Sequence, residues 1–142
     1  IKVTIVPRSN GAGGFTKFLP CEESLLGLQS KKYLKAQLAV MMGGRAAETL
    51  VFGKDSVTTG ATSDITKASD LAYNMVKNLG FGSTSMVRNE NILFEEAQQL
   101  VDEAEKSAIN TLEKHMDVID ILVKILIENE TIYTDEIEYC IN

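Results

Sequence analysis

VFGKDSVTTGATSDITKASDLAYNMVKNLG, residues 51–80, holds the decision about this chain's fold. Its first half is a polar connection: five of the six residues from Thr58 to Ser63 are small hydroxyls or glycine. Its second half is strongly periodic. Ile65, Ala68, Leu71, Ala72, Met75, Val76 and Leu79 recur at the 3,4 spacing of one helical face, and Gly80 follows as a stop. The segment predicts a helix from about Asp64 to Leu79, packed by that face and entered through a polar loop.

The same period extends in both directions. Upstream, Ser30 is a good N-cap, and Leu34, Leu38, Met41 and Met42 predict one helix running through MMGGRAAETLVFG to about Gly53. Gly43 and Gly44 inside it cost about 1 kcal/mol each relative to alanine, which points to a closely packed neighbour there. Downstream, FGSTSMVRNEN reads as a loop. A long amphipathic helix follows through Ala97, Leu100, Val101, Ala104, Ala108, Ile109 and Leu112. MDVIDILVKILIEN, from Met116, is apolar over so wide a face that it predicts a well-buried helix. A last short helix starts at Thr134 and uses Ile137 and Ile141. At the other end, KVTIVP and GFTKFLP alternate and stop at Pro7 and Pro20, which reads as two short strands around the glycine-rich turn RSNGAGG. The expected fold is mainly α, one domain over residues 1–142 with a small N-terminal β-ribbon.

Composition sets outer limits. At 142 residues with 44% hydrophobic and 24% charged residues, the chain can bury a real core. No run of 18 apolar residues spans a membrane, and IKVTIVPR is not a signal peptide. Residues 1–89 carry 11 Lys/Arg against 6 Asp/Glu, whereas residues 90–142 carry 3 against 14. An acidic second half and no basic stripe argue against nucleic acid as a partner. Cys21 and Cys140 are too few and too far apart for a disulfide framework or a zinc ribbon. GAGG lacks the G-K-[ST] and the helix of a phosphate cradle.

Few side chains invite chemistry. His115 is the only histidine and sits at the end of an acidic helix, where a surface or capping role suits it. Arg45 and Glu48 are spaced for an i,i+3 ion pair, and Lys67 with Asp70 for a solvated one. Asp64 carries two readings. If Thr62 or Ser63 is the N-cap, Asp64 falls in the first turn, where the helix dipole favours an anion. The dipole alone would explain it, yet a carboxylate presented by a short polar loop is also well placed to ligate a divalent metal, with the loop's hydroxyls and amides orienting its second oxygen.

VTIVPR, GFTKFLP, LAVMMGGRAAETLVFG and VTTGATSDITKASDLAYNMV, taken in order, resemble the peptidase domain of the FtsH family, and ETIYTDEIEYCI resembles that family's closing helix. PCEESLLGLQSKKYLKAQLAV looks most like the plastid and cyanobacterial branch. The resemblance implies a membrane-anchored, ATP-dependent zinc metalloprotease, located in a plastid or other organelle membrane or in a bacterial inner membrane. It acts on unfolded or membrane proteins and assembles as a homo- or hetero-hexamer. In that family zinc is held by two histidines of an H-E-x-x-H helix and by a distant aspartate in the segment written here as TTGATSD. The metal ligand carried over is therefore Asp64, and Glu48 would lie near the metal without ligating it.

No H-E-x-x-H occurs in these 142 residues, so no catalytic residue is assigned and the zinc site is incomplete in this chain. The resemblance puts that helix, the ATP-binding AAA+ module and the membrane anchor upstream of Ile1. The chain alone is expected to be inactive. The alternative is a catalytically dead FtsH-like subunit with an assembly role, in which Asp64 is an ordinary helix-start acid. The stretch 81–96 also looks shorter than in that family.

Overall fold

The computed structural model describes all of residues 1–142. The chain gathers into two compact units, one of residues 28–114 and one of residues 1–27 together with 115–142.

The unit of residues 28–114 is all-helical. It contains α2 (Lys31–Met41), α3 (Gly43–Phe52), α4 (Thr62–Lys77) and α5 (Glu90–Glu113), with two 3-10 turns, Lys54–Ser56 and Thr59–Ala61, joining α3 to α4. Each apolar stripe of the sequence becomes a packed face. Leu34, Leu38, Met42, Ala46, Ala68, Ala72, Met75, Val76, Leu93, Ala97, Leu100, Ala104 and Ala108 form one cluster, in which α5 packs against α2, α3 and α4. Six of these are alanines, so the helices approach closely and the larger side chains, Leu38, Met75 and Leu93, fill the space between. The expected Ser30 cap forms, its Oγ accepting from the Tyr33 amide at 3.1 Å; Asn89, inside the expected loop, caps α5, its Oδ1 accepting from the amides of Asn91 and Ile92. Gly80 adopts φ +70° just past α4, where the Phe81 amide bonds to the Met75 carbonyl at 3.0 Å.

The single helix expected over 30–53 is two. Met42 has φ −81° and ψ −5°, and α3 starts anew at Gly43. A Cβ on Gly43 or on Gly44 meets nothing within 4 Å, so the expected close neighbour is not what places them. Two residues of low helix propensity in the first turn of α3 instead let the chain change direction at Met42.

The loop 78–89 is tightly held. Glu96 Oε2 accepts from the Ser83 amide at 3.0 Å, and Phe81 and Val87 pack on the core cluster. A Cβ on Gly82 would collide with Glu96 Oε2 and stand 3.0 Å from Val76 Cγ1 and 3.1 Å from Val87 Cγ2. Only glycine lets the backbone lie so close.

The second unit holds β1 (Lys2–Thr4), β2 (Phe15–Lys17), a five-residue α1 (Glu22–Leu26), α6 (Met116–Asn129), β3 (Thr131–Tyr133) and α7 (Thr134–Ile141). The expected ribbon is present, with Val3 opposite Thr16, and gains a third strand: order β2-β1-β3, all antiparallel, with Val3 also opposite Ile132. Thr4 is buried and bonded. Its hydroxyl donates to the Glu130 carbonyl at 3.1 Å and accepts from Thr131 Oγ1 at 2.8 Å. Together with the Ile5 amide on the Glu130 carbonyl at 2.9 Å, these bonds tie the chain's two ends into one small sheet.

The expected deep burial of residues 116–129 is not found. No residue of α6 is buried, and Ile127 is 69% exposed. Three three-residue strands and an eight-residue α7 are too little surface to cover so wide an apolar face.

Candidate functional site

The polar connection between α3 and α4 is organised around Thr58. Arg45 and Glu48 stand three residues apart on α3, hence on one face of it. Glu48 Oε2 accepts from the Thr58 amide at 3.2 Å, and Glu48 Oε1 accepts a short bond from the Thr58 hydroxyl. Arg45 Nη2 donates to the Thr58 carbonyl at 3.1 Å. The Thr58 hydroxyl in turn accepts from the Gly60 amide at 3.1 Å and caps the second 3-10 turn. Every polar atom of Thr58 is thus engaged. The hydroxyl and amide of Thr58, with the Arg45 charge as a smaller contribution, hold the Glu48 carboxyl below the usual glutamate range.

The expected ion pair of Arg45 with Glu48 is therefore replaced by a shared partner: both side chains reach past each other to Thr58. A backbone amide and carbonyl left without helical partners demand hydrogen bonds more strongly than two half-buried charges on one helix face demand each other. Lys67 and Asp70 are both exposed, as expected.

Asp64 lies in the first turn of α4, as the sequence requires for either of its readings. The helix begins at Thr62 after Ala61, and neither Thr62 nor Ser63 is its N-cap. The hydroxyls do not orient Asp64 either. Thr62 Oγ1 donates to the Thr59 carbonyl at 2.7 Å, and Thr58 is committed to Glu48. The Asp64 side chain is exposed at the helix start, where the N-terminal dipole favours its charge.

The donor set decides what these residues can hold by themselves. No group of three or more histidine, cysteine, aspartate or glutamate side chains is arranged to bind a metal ion. His115 is exposed at the start of α6, in keeping with a surface role. A catalytic zinc needs about three protein ligands, so the residues present do not make a zinc site, and Asp64 is at most one ligand of one.

The family model for peptidase family M41 matches residues 1–92, a span that includes the α3–α4 connection and Asp64. The chain belongs to peptidase family M41. Among the relatives of this M41 chain is the chloroplastic ATP-dependent zinc metalloprotease FTSH 1 of Arabidopsis thaliana. It is 36% identical over 160 residues, covering 95% of the chain and 22% of the relative. FtsH of Mycoplasmopsis pulmonis is 33% identical, covering 97% of the chain and 22% of the relative. FtsH 3 of the cyanobacterium Synechocystis is 35% identical, covering 96% and 26%. The FtsH resemblance is thus shown, with plastid and cyanobacterial proteins among the relatives. The M41 chain spans about a quarter of the length of these relatives. No helix in it is long and apolar enough to cross a membrane.

Thr58 is the residue at the centre of this polar connection that the sequence did not single out. Its signal was Arg45 and Glu48 on one helix face shortly before a run of hydroxyls.

Proposed function

We propose that this chain forms most of one peptidase domain in a membrane-anchored, ATP-dependent zinc metalloendopeptidase. Asp64 supplies one carboxylate to a zinc whose histidine ligands and catalytic glutamate lie outside these 142 residues. The observation that supports this is the placement of Asp64: an exposed carboxylate in the first turn of α4, within the span matched by the M41 model. The relatives are named ATP-dependent zinc metalloproteases, which supports zinc and ATP as the cofactors of the complete protein. In this reading ATP binds in a module outside the chain, and unfolded or membrane proteins are the substrates. The protein assembles as a homo- or hetero-hexamer at a plastid, other organelle or bacterial membrane, with no nucleic acid.

Because the chain's own donors do not complete a zinc site, the 142 residues alone are inactive. Casein incubated with the pure chain and added zinc stays intact, whereas the complete protein with ATP and zinc cleaves it. Metal-dependent cleavage by the chain alone overturns the reading. A complete protein that binds no zinc and cleaves nothing instead supports the alternative of a catalytically dead subunit with an assembly role.

A further inference from the structure

The small sheet brings together cations that are scattered in the sequence. Residues directly opposite in an antiparallel pair project to the same face, and alternate residues along a strand share it. Lys2 stands opposite Lys17 on one side and Tyr133 on the other, and Thr4 stands opposite Phe15 and Thr131. One face therefore carries Lys2, Lys17, Phe15 and Tyr133. Arg8 joins it, its guanidinium carbon 3.6 Å from the centre of the Phe15 ring. Lys2 Nζ lies 5.6 Å from the centre of the Tyr133 ring.

Like charges directly opposite each other destabilise a strand pair, and no carboxylate offsets this one. The chain's one ion pair, Lys35 with Glu103, lies in the other unit. Glu136, at the start of α7, turns its Oε2 to the Tyr133 amide at 3.0 Å. Lys17 is exposed and Tyr133 is 55% exposed, so the face is open to a ligand. An anion placed there gains from three cations at once. Arg8 already covers Phe15, so that ring is not free to stack on a base, as single-stranded nucleic acid requires. Carboxylates need only charge and donors, and lysine and arginine supply both.

We propose that this sheet face is a docking surface for an acidic stretch of polypeptide, whose carboxylates are held by Lys2, Arg8 and Lys17. The choice of a polypeptide rests on the protease reading of the complete protein, whereas the anionic character of the ligand rests on the face alone. In the complete protein the surface favours substrates with segments rich in aspartate and glutamate.

Fluorescence anisotropy of a labelled Glu-Ser repeat peptide, titrated with the 142-residue chain, tests the surface without metal or activity. The peptide binds, a Lys-Ser repeat does not, and binding weakens as salt is raised, because exposed charges are screened. Lys2→Gln combined with Lys17→Gln weakens binding about tenfold, the scale of two exposed ion pairs, and Arg8→Gln weakens it as well. Lys54→Gln combined with Lys67→Gln removes the same charge from the other unit and leaves binding unchanged. Lys17→Gln also raises the midpoint of thermal unfolding, because the like-charge pair is relieved, so lost binding is not lost folding. Absence of binding by the Glu-Ser peptide overturns the proposal, as does equal weakening by the two double variants. An oligothymidylate of equal charge that binds more tightly through the same residues overturns it in favour of nucleic acid. Self-association of the chain that the Lys2 and Lys17 variants abolish overturns it in favour of a second copy. If the acidic peptide does not bind but the complete protein cleaves casein, this inference alone fails. If the peptide binds through these residues but the complete protein cleaves nothing, the protease reading fails and the anionic docking surface stands.

Discussion

Thr58 donates its amide and its hydroxyl to the two oxygens of one carboxylate, that of Glu48, ten residues earlier on α3. A bidentate contact of this kind defines the threonine's position and its orientation at once. It depends on the charged carboxylate, which has the lone pairs to accept twice and no proton to donate.

The same dependence gives a pH signature. Glu48, Glu96 and Glu103 are all held below the usual glutamate range. The first cause is a hydrogen bond in each case, from Thr58, Ser83 and Lys35 respectively. A carboxyl whose pKa is lower in the folded chain than in the unfolded one binds fewer protons when folded. Its stabilising contribution is full above the unfolded value of 4.5 and is lost as pH falls through the folded value. Thermal unfolding followed between about pH 6 and pH 3 should show a falling midpoint below pH 4.5, and Glu96→Gln should shallow that fall. An unchanged slope in the variant contradicts the assignment to Glu96.

Gly82→Ala tests the packing of the loop 78–89. The added methyl has nowhere to go unless Glu96 releases Ser83 or the fully buried Val76 shifts. A loss of about 1–3 kcal/mol, read from the urea midpoint, is the expected result for overpacking. A neutral substitution would show that the loop moves freely off the helices.

Glu130 is the single non-glycine residue with a left-handed backbone, φ +61°, at the end of α6. Its carbonyl holds the Thr4 hydroxyl and the Ile5 amide, so the backbone and not the side chain does its work in the sheet. Glu130→Gly removes the Cβ strain and keeps those bonds. It should raise stability by about 0.5–1 kcal/mol in thermal or urea unfolding. Destabilisation would mean that the side chain contributes something the backbone geometry does not reveal.

Met75→Ala probes the helical core, since Met75 is fully buried among α2, α4 and α5 residues. The expected loss is about 2–5 kcal/mol in chemical denaturation. A loss well under 1 kcal/mol would imply that the cluster collapses around the cavity.

What the sequence made legible was periodicity and what it hid was partnership. The faces of α4 and α5 and the Ser30 cap follow from spacing and local capping chemistry, which act within a few residues. The break at Met42 was masked because the apolar pattern continues across it, and only the propensity of Gly43 and Gly44 marks it. The strand Thr131–Tyr133 is too short to carry an alternation, and it exists because β1 pairs with it from the far end of the chain. The exposure of α6 depends on how much surface surrounds it, a quantity no helical pattern contains. At the site, Asp64 was placed correctly in its helix, but Arg45 and Glu48 were paired with each other. Helix spacing shows that two side chains can meet, not that a threonine beyond the helix end offers both a better partner.

Whether Asp64 is a zinc ligand or only a helix-start acid is decided by one substitution. Zinc content is measured by elemental analysis, and casein cleavage assayed, for the complete protein and its Asp64→Asn variant, with circular dichroism to confirm that both fold. Asn is nearly isosteric and still accepts hydrogen bonds at a helix start, so a capping role predicts little change. If Asp64 ligates zinc, the variant folds, loses most of its zinc and no longer cleaves casein. Full zinc occupancy and undiminished cleavage in Asp64→Asn would contradict it.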